Sequence, residues 1–171
     1  MSRPCVFLDR DGVINVAAAP GDYIRTWDEF HVLPNVADWI RILNHLDYLV
    51  IVVTNQRGVA LGLIDPARLE EIHRKMVQVL ADAGARIDDV FCCPHEYGTC
   101  DCRKPQPGLV QAACRRWDID LERSLLIGDS VLDEQLAANC GLRFLRATGD
   151  GHVLAAGETV GEPEGSRERD A

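Results

Sequence analysis

Five short, continuously apolar runs alternate with helix-patterned stretches along this chain, and that alternation limits what it can fold into. The runs are Cys5–Leu8, Leu49–Thr54, Val90–Cys93, Ser124–Ile127 and Phe144–Arg146. Helical periodicity falls between them, near Val36–Leu46, Pro66–Ala83, Gly108–Trp117 and Leu132–Asn139. A strand that is apolar at successive positions has no face to give to water, so both sides must be covered. Together with the alternation, this predicts an α/β fold: a Rossmann-like parallel sheet with helices on both faces. Pro66, with Asp65 before it, suits a first helical turn, and Gly84 and Gly141 suit helix ends. The length of 171 residues fits one domain. Residues 1–150 are expected to form it. Residues 151–171, rich in Gly, Glu, Arg and Asp, have little to bury and are expected to be a flexible tail.

In open α/β sheets, ligands bind beyond the carboxyl ends of the strands. Three of the expected strands end in polar residues of related character. The first runs into Asp9-Arg10-Asp11-Gly12, the second into Thr54-Asn55-Gln56, and the fourth into Gly128-Asp129-Ser130-Val131-Leu132-Asp133. Two acids at the tip of a buried strand are costly unless a cation meets them. A hard divalent ion such as Mg²⁺ takes oxygen ligands and shares them with phosphate. If the strand persists, Asp9 and Asp11 lie on one face, and one could attack phosphorus while the other handles a proton. Asp129 can complete a metal shell. Asp133, one helical turn further, either supports the metal ligands from behind, holds Lys104, or interacts as an N-terminal helix acid with the dipole. Thr54 fits either a phosphate-binding hydroxyl or a helix cap. Lys104, in Cys102-Arg103-Lys104-Pro105, offers a point charge for a phosphoryl group.

Seven cysteines include four between Cys92 and Cys102, too crowded for a disulfide framework. Cys93, His95, Cys100 and Cys102 supply three thiolates and one imidazole, a complete tetrahedral Zn²⁺ set with no open position, so the expected zinc is structural. Cys92 could replace Cys93, although a period-two strand points neighbours to opposite faces. Cys5, Cys114 and Cys140 read as small core residues. His31, His45 and His73 lack ligand spacing and are taken as structural or solvated. Trp27, Trp39 and Trp117 look like packing residues.

The net charge of −9 leaves no electrostatic footprint for nucleic acid. No apolar stretch approaches the roughly 18 residues of a membrane span, and no charged-then-apolar leader opens the chain, which points to a cytoplasmic protein without a membrane partner.

Four signatures in order, D-R-D-G-V-I-N, V-V-T-N-Q, C-P-H with C-D-C-R-K-P, and G-D-S-V-L-D, resemble the haloacid dehalogenase superfamily over roughly residues 5–149. They look most like its bacterial branch of heptose bisphosphate and histidinol-phosphate phosphatases. The resemblance implies a fold without a large cap domain, a zinc-binding loop and a monomer. It implies that Asp9 is a nucleophile forming a phosphoaspartate, that Asp11 is the acid and then the base, and that Thr54 and Lys104 hold the phosphoryl group. It places Mg²⁺ on Asp9, the main-chain carbonyl of Asp11, and Asp129. Substrate contacts are implied for Asn15, Asn55, Gln56, Arg57 and Arg103. In this chain Leu61 replaces a cation common in the heptose enzymes, Arg57 could restore that charge from another position, and Ser130 stands where many members carry lysine. The small-molecule substrate implied is D-glycero-D-manno-heptose 1,7-bisphosphate, cleaved at the 7-phosphate in making nucleotide-activated heptose for lipopolysaccharide, capsule or another glycan. Histidinol phosphate is the alternative.

Overall fold

The computed structural model describes residues 2–154. Six strands form one sheet in the order β3-β2-β1-β4-β5-β6. They are β1 Arg3–Leu8, β2 Leu49–Asn55, β3 Asp89–Cys93, β4 Ile119–Gly128, β5 Arg143–Ala147 and β6 Val153–Leu154. The first five are parallel, and β6 pairs antiparallel with β5. Four helices cover the sheet: α1 Val36–His45, α2 Pro66–Asp82, α3 Gly108–Arg116 and α4 Val131–Cys140.

The side-chain period of two sorts each central strand between two cores. Val6, Leu8, Val50 and Val52 face one cluster, with Val36 and Ile40 of α1 and Ile72, Met76 and Leu80 of α2. Cys5, Phe7, Leu49, Ile51 and Val53 face the other, with Leu109, Val110 and Ala113 of α3 and Leu136 and Ala137 of α4. Strands buried on both sides are thus the direct consequence of the unbroken apolar runs. Asp65 caps α2 by accepting from the Ala67 N–H at 2.8 Å, ahead of Pro66. Gly141, with φ 67°, closes α4.

Two boundaries differ from the sequence expectation by more than two residues. β4 starts at Ile119, because Ile119–Arg123 is only partly buried and its apolar signal is diluted. The pairing with β1 slips between Pro4 and Val6, and the Cys5 N–H there donates to Ser124 Oγ at 2.8 Å. The expected tail from residue 151 instead begins with the hairpin partner of β5. Thr148 N–H donates to His152 O at 3.1 Å across the Gly149-Asp150-Gly151 turn, and Val153 packs against the first core cluster. The rest of that expected tail, residues 155–171, lies outside the described residues. No helix among the described residues is long and apolar enough to cross a membrane.

Candidate active site

Parallel strands β1, β2 and β4 end side by side, which brings their polar tips together. A pocket of about 230 Å³ is lined there by Asp9, Asp11, Thr54, Asn55, Arg103, Lys104 and Asp129, among others. Carboxylate oxygens of Asp9, Asp129 and Asp133 all lie within 4.8 Å of one another.

Lys104 is buried between two of these acids. Its Nζ lies 2.8 Å from Asp9 Oδ1 and 2.7 Å from Asp133 Oδ1. Burial alone would lower the lysine's pKa, but Asp9 and Asp133 outweigh it and raise it. Asp133 Oδ2 accepts from Ser130 N–H and Oγ–H, completing a capping box at the start of α4. Asp133 therefore meets Lys104 and also caps its own helix. Ser130 is that helix's N-cap.

Asp9 Oδ1 accepts from Lys104 and from the Arg10 N–H at 2.7 Å. Its other oxygen has no partner among the described residues. Burial, opposed by Lys104 and reinforced by Asp133 and Asp11, pushes Asp9 up to about 7. Asp129 is also raised, first by burial and then by Asp133. One lysine among this many carboxylates leaves an excess of negative charge, and every available donor is a hard oxygen. Asp9 and Asp129 fit a divalent cation such as Mg²⁺. Gly12 lets the β1 loop approach: with φ +80°, a Cβ there would sit 2.0 Å from Asp129 Oδ2.

β1 ends at Leu8 and the chain turns, so period-two alternation does not set the directions of Asp9 and Asp11, although both line the pocket. The N–H groups of Val13, Ile14 and Asn15 all point back to Arg10 O. Asp11 accepts from Arg10 Nε and Nη2 (3.2 and 2.9 Å to Oδ1, 3.0 Å to Oδ2), from Asn15 Nδ2 at 2.9 Å and from Gln56 Nε2 at 3.0 Å. Burial works to raise it, but Arg10 and these hydrogen bonds hold it below the usual carboxylate range.

Of the five residues expected to contact substrate, Asn55 and Arg103 line the pocket. Asn55 also bridges to the Lys104 peptide, accepting from its N–H at 3.0 Å and donating to its carbonyl at 3.2 Å. Asn15 is fully buried and braces Asp11. Gln56 is spent on Asp11 and on Thr54 Oγ1, 2.9 Å away, and that leaves the threonine hydroxyl hydrogen free to donate. Arg57 donates from Nε to Glu96 Oε1 at 2.6 Å.

Sequence reasoning passed over Arg10 and read His73 only as structural or solvated. Arg10 is completely buried, sits over the Phe30 ring at 5.7 Å, and contacts His73 Nε2 at 3.1 Å. Burial and then the Arg10 charge press His73 down to about 4. A signal existed: His73 falls on the stripe Leu69, Ile72, Met76 and Leu80 that α2 buries.

Beyond β3, Cys93, His95, Cys100 and Cys102 bring their ligand atoms within 4.8 Å of one another. Cys93 Sγ lies 3.5 Å from Cys100 Sγ and 3.6 Å from His95 Nδ1, and His95 Nδ1 lies 3.3 Å from Cys102 Sγ. Tetrahedral zinc would need separations of about 3.5–3.8 Å. Burial, with Cys93 and Cys100 crowding it, drives the Cys102 thiol up. A soft dication suits that donor set. Cys92 belongs elsewhere, lining a cavity with His73.

The chain belongs to the haloacid dehalogenase-like hydrolase family, whose pattern matches residues 5–141. Among its relatives, the D-glycero-beta-D-manno-heptose-1,7-bisphosphate 7-phosphatase of Bordetella bronchiseptica is 42% identical over 165 residues, 95% of this chain and 89% of the relative. The D-glycero-alpha-D-manno-heptose-1,7-bisphosphate 7-phosphatase of Mycobacterium bovis is 44% identical over 137 residues, 79% of this chain and 72% of the relative. Among solved structures, the D,D-heptose 1,7-bisphosphate phosphatase from B. bronchiseptica, complexed with magnesium and phosphate, is similar at a TM-score of 0.76. Its identity is 40% over 82% of this chain and 78% of that one.

Proposed function

We propose that this hydrolase is a phosphatase that removes the 7-phosphate of D-glycero-D-manno-heptose 1,7-bisphosphate, as a cytoplasmic monomer supplying a glycan precursor. The observation that carries the chemistry is the free oxygen of Asp9, set beside Lys104 and within a carboxylate cluster shared with Asp129. The relatives' printed names carry the substrate class.

Asp9 Oδ2 attacks phosphorus and forms a phosphoaspartate, dividing one slow displacement into two. Asp11, ionised beside Arg10 at rest, takes up a proton from solvent as substrate binds, gives it to the departing C7 oxygen, then takes one from the water that hydrolyses the intermediate. The Thr54 hydroxyl and Lys104 Nζ face the equatorial phosphoryl oxygens, and Asp133 keeps Lys104 charged and aimed. Asp9, the Asp11 main-chain carbonyl and Asp129 would hold Mg²⁺. When bound, the ion supplies charge that keeps Asp9 ionised and offsets the oxygens of the transferring group. The Cys93, His95, Cys100 and Cys102 set would hold a structural zinc that fixes the segment running directly into Arg103 and Lys104.

Phosphate release should be measured on both anomers of heptose 1,7-bisphosphate and on histidinol phosphate, at equal enzyme concentration. One heptose anomer should give the highest kcat/KM, and Asp9→Asn should abolish release. A larger kcat/KM on histidinol phosphate would overturn the assignment.

A further inference from the structure

A phenol ring met by two guanidinium groups stands beside the pocket. Arg103 Cζ lies 4.2 Å from the Tyr97 ring centroid, and Arg57 Cζ lies 4.4 Å from it. Both cations thus pack on the one ring, and Arg103 is the one that lines the pocket. Glu96 fixes the outer member. Its Oε1 accepts from Arg57 Nε at 2.6 Å and from the Tyr97 N–H at 2.7 Å. Glu96 and Tyr97 lie between His95 and Cys100, so the zinc-type ligands tie down both ends of the segment that carries them. Each such contact is weak alone at a partly exposed site. Joined in series, they restrict one side chain.

That side chain is Arg103. Its Nε and Nη1 are buried and have no hydrogen-bond partner among the described residues, yet it lines the pocket with Asp9, Thr54 and Lys104. Desolvated donors of a cation are costly until an anion meets them. Lys104, next in the chain, is already committed to Asp9 and Asp133 beside the attacking oxygen. The anion suited to Arg103 is therefore a second one on the same substrate, apart from the group being transferred.

We propose that Tyr97, backed by Arg57 and Glu96, is a positioning residue that holds Arg103 ready for the non-transferred phosphate of a bisphosphate, given the substrate class proposed above. Tyr97 does not touch substrate. It denies Arg103 its other rotamers, so its loss weakens binding of the doubly phosphorylated sugar and leaves the chemical step alone.

The test uses the zinc-loaded enzyme and compares the heptose 1,7-bisphosphate with the heptose 7-phosphate. Tyr97→Leu should raise KM for the bisphosphate on the order of tenfold, with kcat nearly unchanged and kcat/KM on the 7-phosphate unaltered. Tyr97→Phe keeps a ring and should behave like the parent. Arg57→Gln should shift the bisphosphate KM in the same direction by less. Zinc content is measured in each variant. An equal loss on both substrates, an unchanged bisphosphate KM, or a phenylalanine variant no better than leucine would overturn the inference. Should Tyr97→Leu lose zinc, Arg57→Gln decides, and an unchanged preference there sinks it. A parent enzyme with no preference for the bisphosphate would defeat the substrate assignment and this inference together. A preference that survives Tyr97→Leu defeats the inference alone.

Discussion

Replacing Arg10 by methionine tests whether the buried guanidinium, and not the turn itself, holds Asp11. Arg10 is wholly buried, and its fork meets both oxygens of Asp11 at 2.9–3.2 Å. Removing one member of such a pair typically costs about 3–5 kcal/mol, because the remaining charge is left desolvated. Asp11 retains Asn15 and Gln56, and its side chain is 30% exposed, which favours the lower end, about 3 kcal/mol. The assay is urea unfolding at pH 7 of Arg10→Met, Asp11→Asn and the double variant. Each single change should be costly, and the double should cost less than their sum by about 2 kcal/mol. If Arg10→Met costs under about 1 kcal/mol, or the two losses simply add, Arg10 is not what holds the carboxylate.

Asp129→Ala should leave folding intact while raising the Mg²⁺ concentration for half-maximal turnover on the order of tenfold or more, since it removes a carboxylate whose oxygen lies within 4.8 Å of one of Asp9's. A titration of turnover against Mg²⁺ checks this, and an unshifted midpoint would refute the role. Cys100→Ser should release zinc, detectable by elemental analysis, and lower thermal stability, because a structural zinc contributes directly to folding. Full zinc content would remove Cys100 from the ligand set. His73 is held down to about 4, against 6.5 in the unfolded chain, so between those values only the unfolded state binds the proton. Stability should thus fall as pH drops from about 6.5 to 4, by on the order of 3 kcal/mol, and His73→Gln should flatten that slope in urea midpoints. Parallel slopes for the two proteins would contradict it.

The sheet was legible because β1 and β2 are buried on both faces and need apolar residues at every position. β4 was only half legible, since Ile119-Asp120-Leu121-Glu122-Arg123 is partly exposed and looks like a loop. β6 was hidden because two residues after a Gly-Asp-Gly turn carry no period at all. At the site, Asp9, Thr54 and Asp129 could be read as strand-tip residues converging by topology, and Lys104 from its place after the cysteine and histidine ligands. What Asn15, Gln56 and Arg57 do could not be read that way. Their distant partners, Asp11 and Glu96, are fixed by how the turn after Leu8 and the segment after Cys93 bend, and residue type alone does not encode that bend. Tyr97 had no pattern to announce it. Arg10 was in plain view inside D-R-D, but a lone cation between two acids gives no hint that it points inward, toward α2.

Asp133 serves the backbone of α4 and the ammonium of Lys104 at once. A chain cannot trade away that acid for a better helix start, or a worse one, without also moving the charge that sits beside Asp9. Selection for a durable fold and selection for turnover thus act on the same two oxygens, and this corner of the molecule is closed to the gradual drift that ordinary helix ends tolerate.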